Sequence, residues 1–123
     1  MYRDTYGRTW EGPHPFTQAA VSRHAPSAFG VYEVLAGTAT STVVAYIGIA
    51  TGDTIRGRLL KHVTARGNWA LGRLGDPSSF TFVFYRCDPE TAHQIESYVV
   101  TNEKPPFNVR PELKFLIPSI AVH

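Results

Sequence analysis

Two runs of β-branched and aromatic residues, FGVYEVL (residues 29–35) and VVAYIGIA (residues 43–50), are separated only by the small-residue stretch AGTATST. The first run alternates between apolar and polar positions, as a half-buried strand does. The second is apolar almost throughout, which reads as a strand covered on both faces. Two such runs across a short turn direct the chain into a β-hairpin. The period then changes. Ile55, Leu59, Leu60 and Val63 recur at helical spacing and form one apolar stripe. Asp53 stands ahead of that helix as its expected N-cap.

The rest of the chain is built around this unit. FTFVFYRC (residues 80–87) reads as a third strand. It runs into DPETAHQIESYVVTNEKPP, a helix with Asp88 as N-cap, Pro89 at its first position and Glu90 in its first turn. Ala92, Ile95, Tyr98 and Val99 make its expected apolar face, and Pro105 and Pro106 lie just past its end. Residues 1–28 are punctuated by glycine and proline and read as an arm with one short helix near Thr17–Arg23, capped by Thr17. Tyr2, Tyr6, Trp10 and Phe16 argue that the arm packs down, since disordered segments are poor in aromatics. A short helix is expected around residues 69–74 and a turn at Asp76–Pro77, with a short edge strand and tail after residue 108. With 123 residues the chain makes one domain with one core. The expected class is α+β: a small three-stranded mixed or antiparallel sheet flanked by helices. Its parts are an arm (1–28), a core (29–108) and a tail (109–123).

Several classes of function drop out. A lone cysteine, Cys87, rules out an internal disulfide and a thiolate metal cluster, and reads as a small strand-end hydrophobe. No stretch approaches the ~18 apolar residues of a membrane span, so no membrane association is expected. The first sixteen residues lack the apolar run of a secretory signal, which points to the cytoplasm. A net charge of +2 predicts no partner by itself. Its distribution says more: between Thr51 and Gly75 stand Arg56, Arg58, Lys61, Arg66 and Arg73 against the single acid Asp53. Such an excess suits a phosphate backbone, although charge alone equally describes a solvated helix face.

The sharper signal is a constellation: GVY at Gly30–Tyr32, YIG at Tyr46–Gly48, RLLKH at Arg58–His62, Glu96 in the last long helix, and PPFN ending at Asn108. In this order and spacing the chain resembles the GIY-YIG nuclease superfamily over residues 29–108. Its arm is also similar to that of small stand-alone bacterial or phage-type members. The resemblance implies a DNA endonuclease with one active site and Mg²⁺ or Mn²⁺ as cofactor. It implies Tyr32, Tyr46, Arg58, His62 and Glu96 as catalytic residues, with Glu96 the metal ligand. Gly30, Gly48 and Asn108 would shape the site, and Arg56, Lys61, Arg66 and Arg73 would contact nucleic acid.

The residue chemistry supports these roles without requiring them. Glu96 supplies a hard oxygen suited to Mg²⁺ or Mn²⁺, which keep waters in their remaining positions; otherwise it is an ordinary helix glutamate. Arg58 presents a planar fork to two phosphate oxygens, and its four-residue spacing to His62 puts both on one helix face. Tyr32 becomes a base only if cations stabilise phenolate or His62 takes its proton; otherwise Tyr32 and Tyr46 are core aromatics. Asn108 is a loop-to-hairpin hydrogen-bonder. Gly30 and Gly48 permit close approach, or are turn residues. Two features depart from the family pattern: the long segment between the two tyrosines, and Ile49 where a polar or basic residue is common. His93, one turn before Glu96, reads as a surface residue. The alternatives to a nuclease of this kind are a weak or inactive nucleic-acid-binding module of the same fold, a toxin or phage nuclease, and a structural domain. Oligomeric state has no signal in the sequence.

Overall fold

A computed structural model describes residues 2–4, 6–38, 41–64 and 80–108. The hairpin forms from strand β3 (Gly30–Thr38) and strand β4 (Ser41–Ala50), antiparallel from Gly30 opposite Ala50 to Thr38 opposite Ser41. Most of the segment expected as a turn is therefore strand, with Ala36 facing Val43 and Gly37 facing Thr42. Small and β-branched residues fit a ladder as readily as a loop when the partner strand continues. The register shifts between Val34 and Leu35: Val34 faces Tyr46 and Leu35 faces Val44, so Ala45 is the extra residue of a bulge.

The sheet has five strands, not three. Strand β1 (Tyr2–Arg3) and strand β2 (Thr9–Pro15) come from the arm, and strand β5 (Thr81–Arg86) from the centre of the chain. The order is β1-β2-β5-β3-β4, and every neighbouring pair is antiparallel. The prolines of TWEGPHP conceal the strand pattern. A bulge between Glu11 and His14 resolves the conflict, because Pro13 falls inside it and owes the ladder no N–H. The arm is anchored by Asp4, whose carboxylate accepts from the Tyr6 and Arg8 amides at 2.9 Å and from Trp10 Nε1 at 2.8 Å.

Among the described residues three helices flank the sheet: α1 (Gln18–His24), α2 (Ile55–Val63) and α3 (Pro89–Glu103). Thr17 caps α1, accepting from the Ala20 amide at 3.1 Å, and Asp88 caps α3. The cap of α2 is Thr54, whose hydroxyl accepts from the Gly57 amide at 3.0 Å. Asp53, expected there, lies one residue too early to reach the second or third helical amide. On one face of the sheet, Tyr32, Val34, Tyr46, Phe82 and Phe84 pack with Val21 of α1 and Ile55 and Leu59 of α2. On the other, Trp10, Val31, Leu35, Ile47 and Val83 pack with Ala92, Ile95 and Val99 of α3. Tyr98, expected on that face, is instead 53% exposed and meets Tyr6 edge-on at 4.6 Å. The readings made for residues 66–79 and 109–123, including Arg66 and Arg73, lie outside the described residues. No helix among the described residues is long and apolar enough to cross a membrane.

One buried group conflicts with this packing. Glu33 faces Ile47 and Val83, is 1% exposed, and its Oε1 has no hydrogen-bond partner. Burial, then the charges of Glu103 and Asp4, push its carboxyl up to about 8. A folded-state value above the unfolded one means that the native protein holds a proton the unfolded chain has released. Glu33 therefore stabilises the fold most below pH ~4.5, and that contribution is lost as pH rises toward about 8. Glu33→Gln should gain stability relative to wild type by up to about 1.4 kcal/mol per pH unit across this window. Urea unfolding at pH 5 and pH 8 checks it; a constant difference would refute it.

Candidate active site

Tyr32 sits mid-strand on β3, directly opposite Gly48 on β4. A Cβ at position 48 would collide with the hydroxyl and ring of Tyr32. Glycine at this position therefore lets the tyrosine lie across the neighbouring strand toward α2. The hydroxyl ends 2.8 Å from Nε2 of His62, a buried hydrogen bond whose direction follows the imidazole tautomer. Tyr46 completes the group, with its ring centroid 6.3 Å from that of Tyr32 and 5.4 Å from that of His62. Gly30 plays a comparable role at the head of β3, where a Cβ would strike the Tyr85 carbonyl of β5.

Helix α2 brings up Arg58 one turn before His62. Its guanidinium lies within electrostatic and hydrogen-bonding reach of the Tyr32 hydroxyl and within electrostatic reach of Tyr46. Glu96 approaches from α3, which packs on β4 and β3. It follows buried Ile95 in sequence and is half-buried itself. Its charge also reaches the Tyr32 hydroxyl. The structure thus brings Tyr32, Tyr46, Arg58 and His62 together on the α2 face of the hairpin, while Glu96 stands on α3, the helix that covers the other face, with its charge still felt at Tyr32.

Asn108 is held at the outer edge of β4 by a 3-10 turn, Pro106–Asn108. Its Oδ1 accepts from the Ile47 amide at 3.0 Å, and its Nδ2 donates to the Ile47 carbonyl at 2.8 Å. One side-chain amide thereby does what a residue of a sixth strand would do. It satisfies backbone groups next to Tyr46 and closes the edge. The basic residues divide. The Arg56 side chain donates to the Ala25 carbonyl at 2.7 Å and the Ser27 hydroxyl at 3.2 Å, tying the end of α1 to α2. Lys61 pairs with Asp53 at 3.0 Å. Asp53 as an ionic partner had no signal in the sequence beyond its being the one acid in a basic stretch. Ile49 packs against the α3-side core, and His93 is exposed.

The electrostatics favour neutral partners around one fixed cation. Burial raises the Tyr32 phenol, with the charges of Tyr46 and Glu96 adding to it and Arg58 opposing. Burial, then the Arg58 and Lys61 charges, lower His62 to about 4. Burial works against the Arg58 charge, but its contacts with Tyr32 and Tyr46 outweigh it, and the guanidinium is held above its ordinary value. At neutral pH the group is a phenol, a neutral imidazole and a guanidinium within mutual reach.

The architecture has counterparts among solved structures. The GIY-YIG N-terminal endonuclease domain of UvrC from Thermotoga maritima, bound to magnesium as its catalytic divalent cation, is 20% identical with a TM-score of 0.54, over 72% of this chain and 96% of that one. An asparagine-to-alanine point mutant of the same domain, bound to its catalytic divalent cation, matches at 20% identity and a TM-score of 0.54, over 73% of this chain and 96% of that one. A tyrosine-to-phenylalanine mutant matches at 20% identity and 0.53, over the same shares of each chain. No protein-family model and no curated protein matches the sequence. The chain thus carries the GIY-YIG fold, as the spacing of its motifs implied.

The contact between Gly48 and Tyr32 is testable apart from any activity. Gly48→Ala should cost about 1–3 kcal/mol in urea unfolding through overpacking. Most of that cost should vanish in a Tyr32→Ala background, since the side chain being struck is gone. Equal costs in the two backgrounds would contradict the close approach.

Proposed function

We propose that this GIY-YIG fold is a divalent-metal-dependent endonuclease that hydrolyses phosphodiester bonds in DNA. One observation carries the reading: a buried Tyr32 hydroxyl hydrogen-bonded to a neutral imidazole, within electrostatic reach of the Arg58 guanidinium and of a carboxylate on another helix. A merely structural core has no need of this arrangement. The similarity in fold to a domain described as an endonuclease with a catalytic divalent cation supports it.

Each group has a physical part. Arg58 holds the phosphate through its fork and offsets charge gathering on the phosphoryl oxygens. Tyr32 faces the water that attacks. Burial makes standing phenolate unfavourable. The proton taken from water is therefore matched by one passed from the Tyr32 hydroxyl to Nε2 of His62, in the tautomer protonated at Nδ1. His62 is neutral and able to receive it. A phosphodiester paired with Arg58 also cancels part of the charge that lowers His62, which strengthens the base when substrate is present. Tyr46 positions water or a phosphate oxygen.

Glu96 would hold the metal. Among the described residues no cluster of three His, Cys, Asp or Glu side chains could chelate an ion. A single carboxylate fits Mg²⁺ or Mn²⁺, which retain most of their waters. When bound, such an ion supplies Lewis acidity toward the phosphate and its leaving oxygen. Arg58, together with Lys61 once it leaves Asp53, suits a DNA backbone.

In a plasmid-nicking and single-strand cleavage assay with Mg²⁺ or Mn²⁺, wild type should cut. Glu96→Ala and Arg58→Ala should each lose at least ~100-fold in rate, the scale of a lost charge-stabilising group. Robust cutting by Glu96→Ala would sink the reading. The acidic limb of kcat/KM should fall near pH 4, not near the ordinary imidazole value, because His62 is lowered to about 4 in the free protein. Binding without cleavage in any divalent metal would favour the inactive binding module.

A further inference from the structure

We propose that Asp53 is a built-in competitor for phosphate: its carboxylate holds Lys61 in an ion pair that a nucleic-acid phosphate must displace, so it limits how tightly the chain grips the strand beside Arg58. This rests on the reading of the site as a nucleic-acid phosphodiesterase. Three observations carry it. Asp53 Oδ2 lies 3.0 Å from Nζ of Lys61, and its Oδ1 accepts from the Thr54 amide at 2.7 Å. The carboxylate is pressed onto the first turn of α2, since any Cβ at Gly57 would strike it. Its charge also reaches Arg58, the next residue on the helix.

The cap of α2 is Thr54, so helix termination does not explain Asp53. It occupies the place where an anion would meet Lys61, within electrostatic reach of Arg58. The pair is also poised to open: Lys61 is 55% and Asp53 32% exposed, and ion pairs this exposed are worth little. A backbone phosphate has the same charge, adds the Arg58 contact and releases counterions when it binds. Exchange is therefore favourable, but Asp53 remains nearby and repels the strand. The result is a grip that is weaker, and a release that is faster, than the basic count of α2 suggests.

The test is fluorescence anisotropy with a labelled single-stranded DNA oligonucleotide, without divalent metal so that no cleavage occurs, across a salt series. Asp53→Asn should bind roughly two- to fivefold tighter, the range set by one exposed pair. The slope of log K against log salt should steepen by about 0.7, one further phosphate contact on a single strand. Both gains should disappear in the Asp53→Asn, Lys61→Met double variant when compared with Lys61→Met. Asp53→Ser, which keeps a small polar group beside the Thr54 amide, guards against a folding defect and should behave as Asp53→Asn does. Unchanged or weaker binding by both Asp53 variants, or a gain that persists without Lys61, would overturn the proposal while leaving the nuclease reading intact. A wild-type chain that binds no DNA even at low salt would overturn both.

Discussion

The hydrogen bond between the Tyr32 hydroxyl and Nε2 of His62 joins the two halves of the molecule that matter most. Tyr32 belongs to the sheet and His62 to the helix that follows it, and both are buried. A buried phenol or imidazole without a partner is costly, so each helps to hold the other. The position of α2 over the hairpin is tied to this bond, and with it the position of Arg58 one turn earlier. The bond is possible because Gly48 has no side chain. Structure and proposed chemistry thus share one contact. A change that loosens the packing should also misplace the reacting groups.

Strand β4 faces a second constraint. It is covered on one face by α2 and on the other by α3, yet among the described residues it ends the sheet. An edge strand offers unpaired backbone groups along its outer side. The paired hydrogen bonds between Asn108 and Ile47 answer this locally, in the residue next to Tyr46. At the far edge the sheet is extended by the arm, held by Asp4 and Trp10. The two edges are therefore handled differently among the described residues, one by added strands and one, at Ile47, by a side-chain amide.

The two faces of the sheet also differ in charge. On the α2 side, burial and two cations keep His62 neutral down to about pH 4. On the α3 side, burial and two anions keep Glu33 protonated up to about pH 8. The first group makes stability rise with pH between about 4 and 6.5, and the second makes it fall between about 4.5 and 8. Their opposition flattens the dependence near pH 5–6. Only the first has a part in the proposed chemistry.

Much of this was legible in residue order. The hairpin, the helix that follows it and the strand-to-helix step at Asp88–Pro89 are set by period and capping, which are local properties. So is the pairing of Arg58 and His62 on one helix face. What local pattern could not convey was what lay opposite. Prolines in TWEGPHP masked a strand because only the β5 partner and its bulge make room for them. The segment after Leu35 looked like a turn because nothing in it revealed that Val43 and Thr42 would continue the ladder. Tyr98 has helical spacing with Ile95 yet falls on the exposed flank, since the position of the sheet decides which residues of the stripe are covered. Sequence alone determined that two tyrosines, an arginine, a histidine and a glutamate occur at spacings able to converge. Only the tertiary structure decided that Tyr32 reaches His62 across Gly48 and that Arg56 is committed to the end of α1, because each depends on through-space distance between segments that no local pattern encodes.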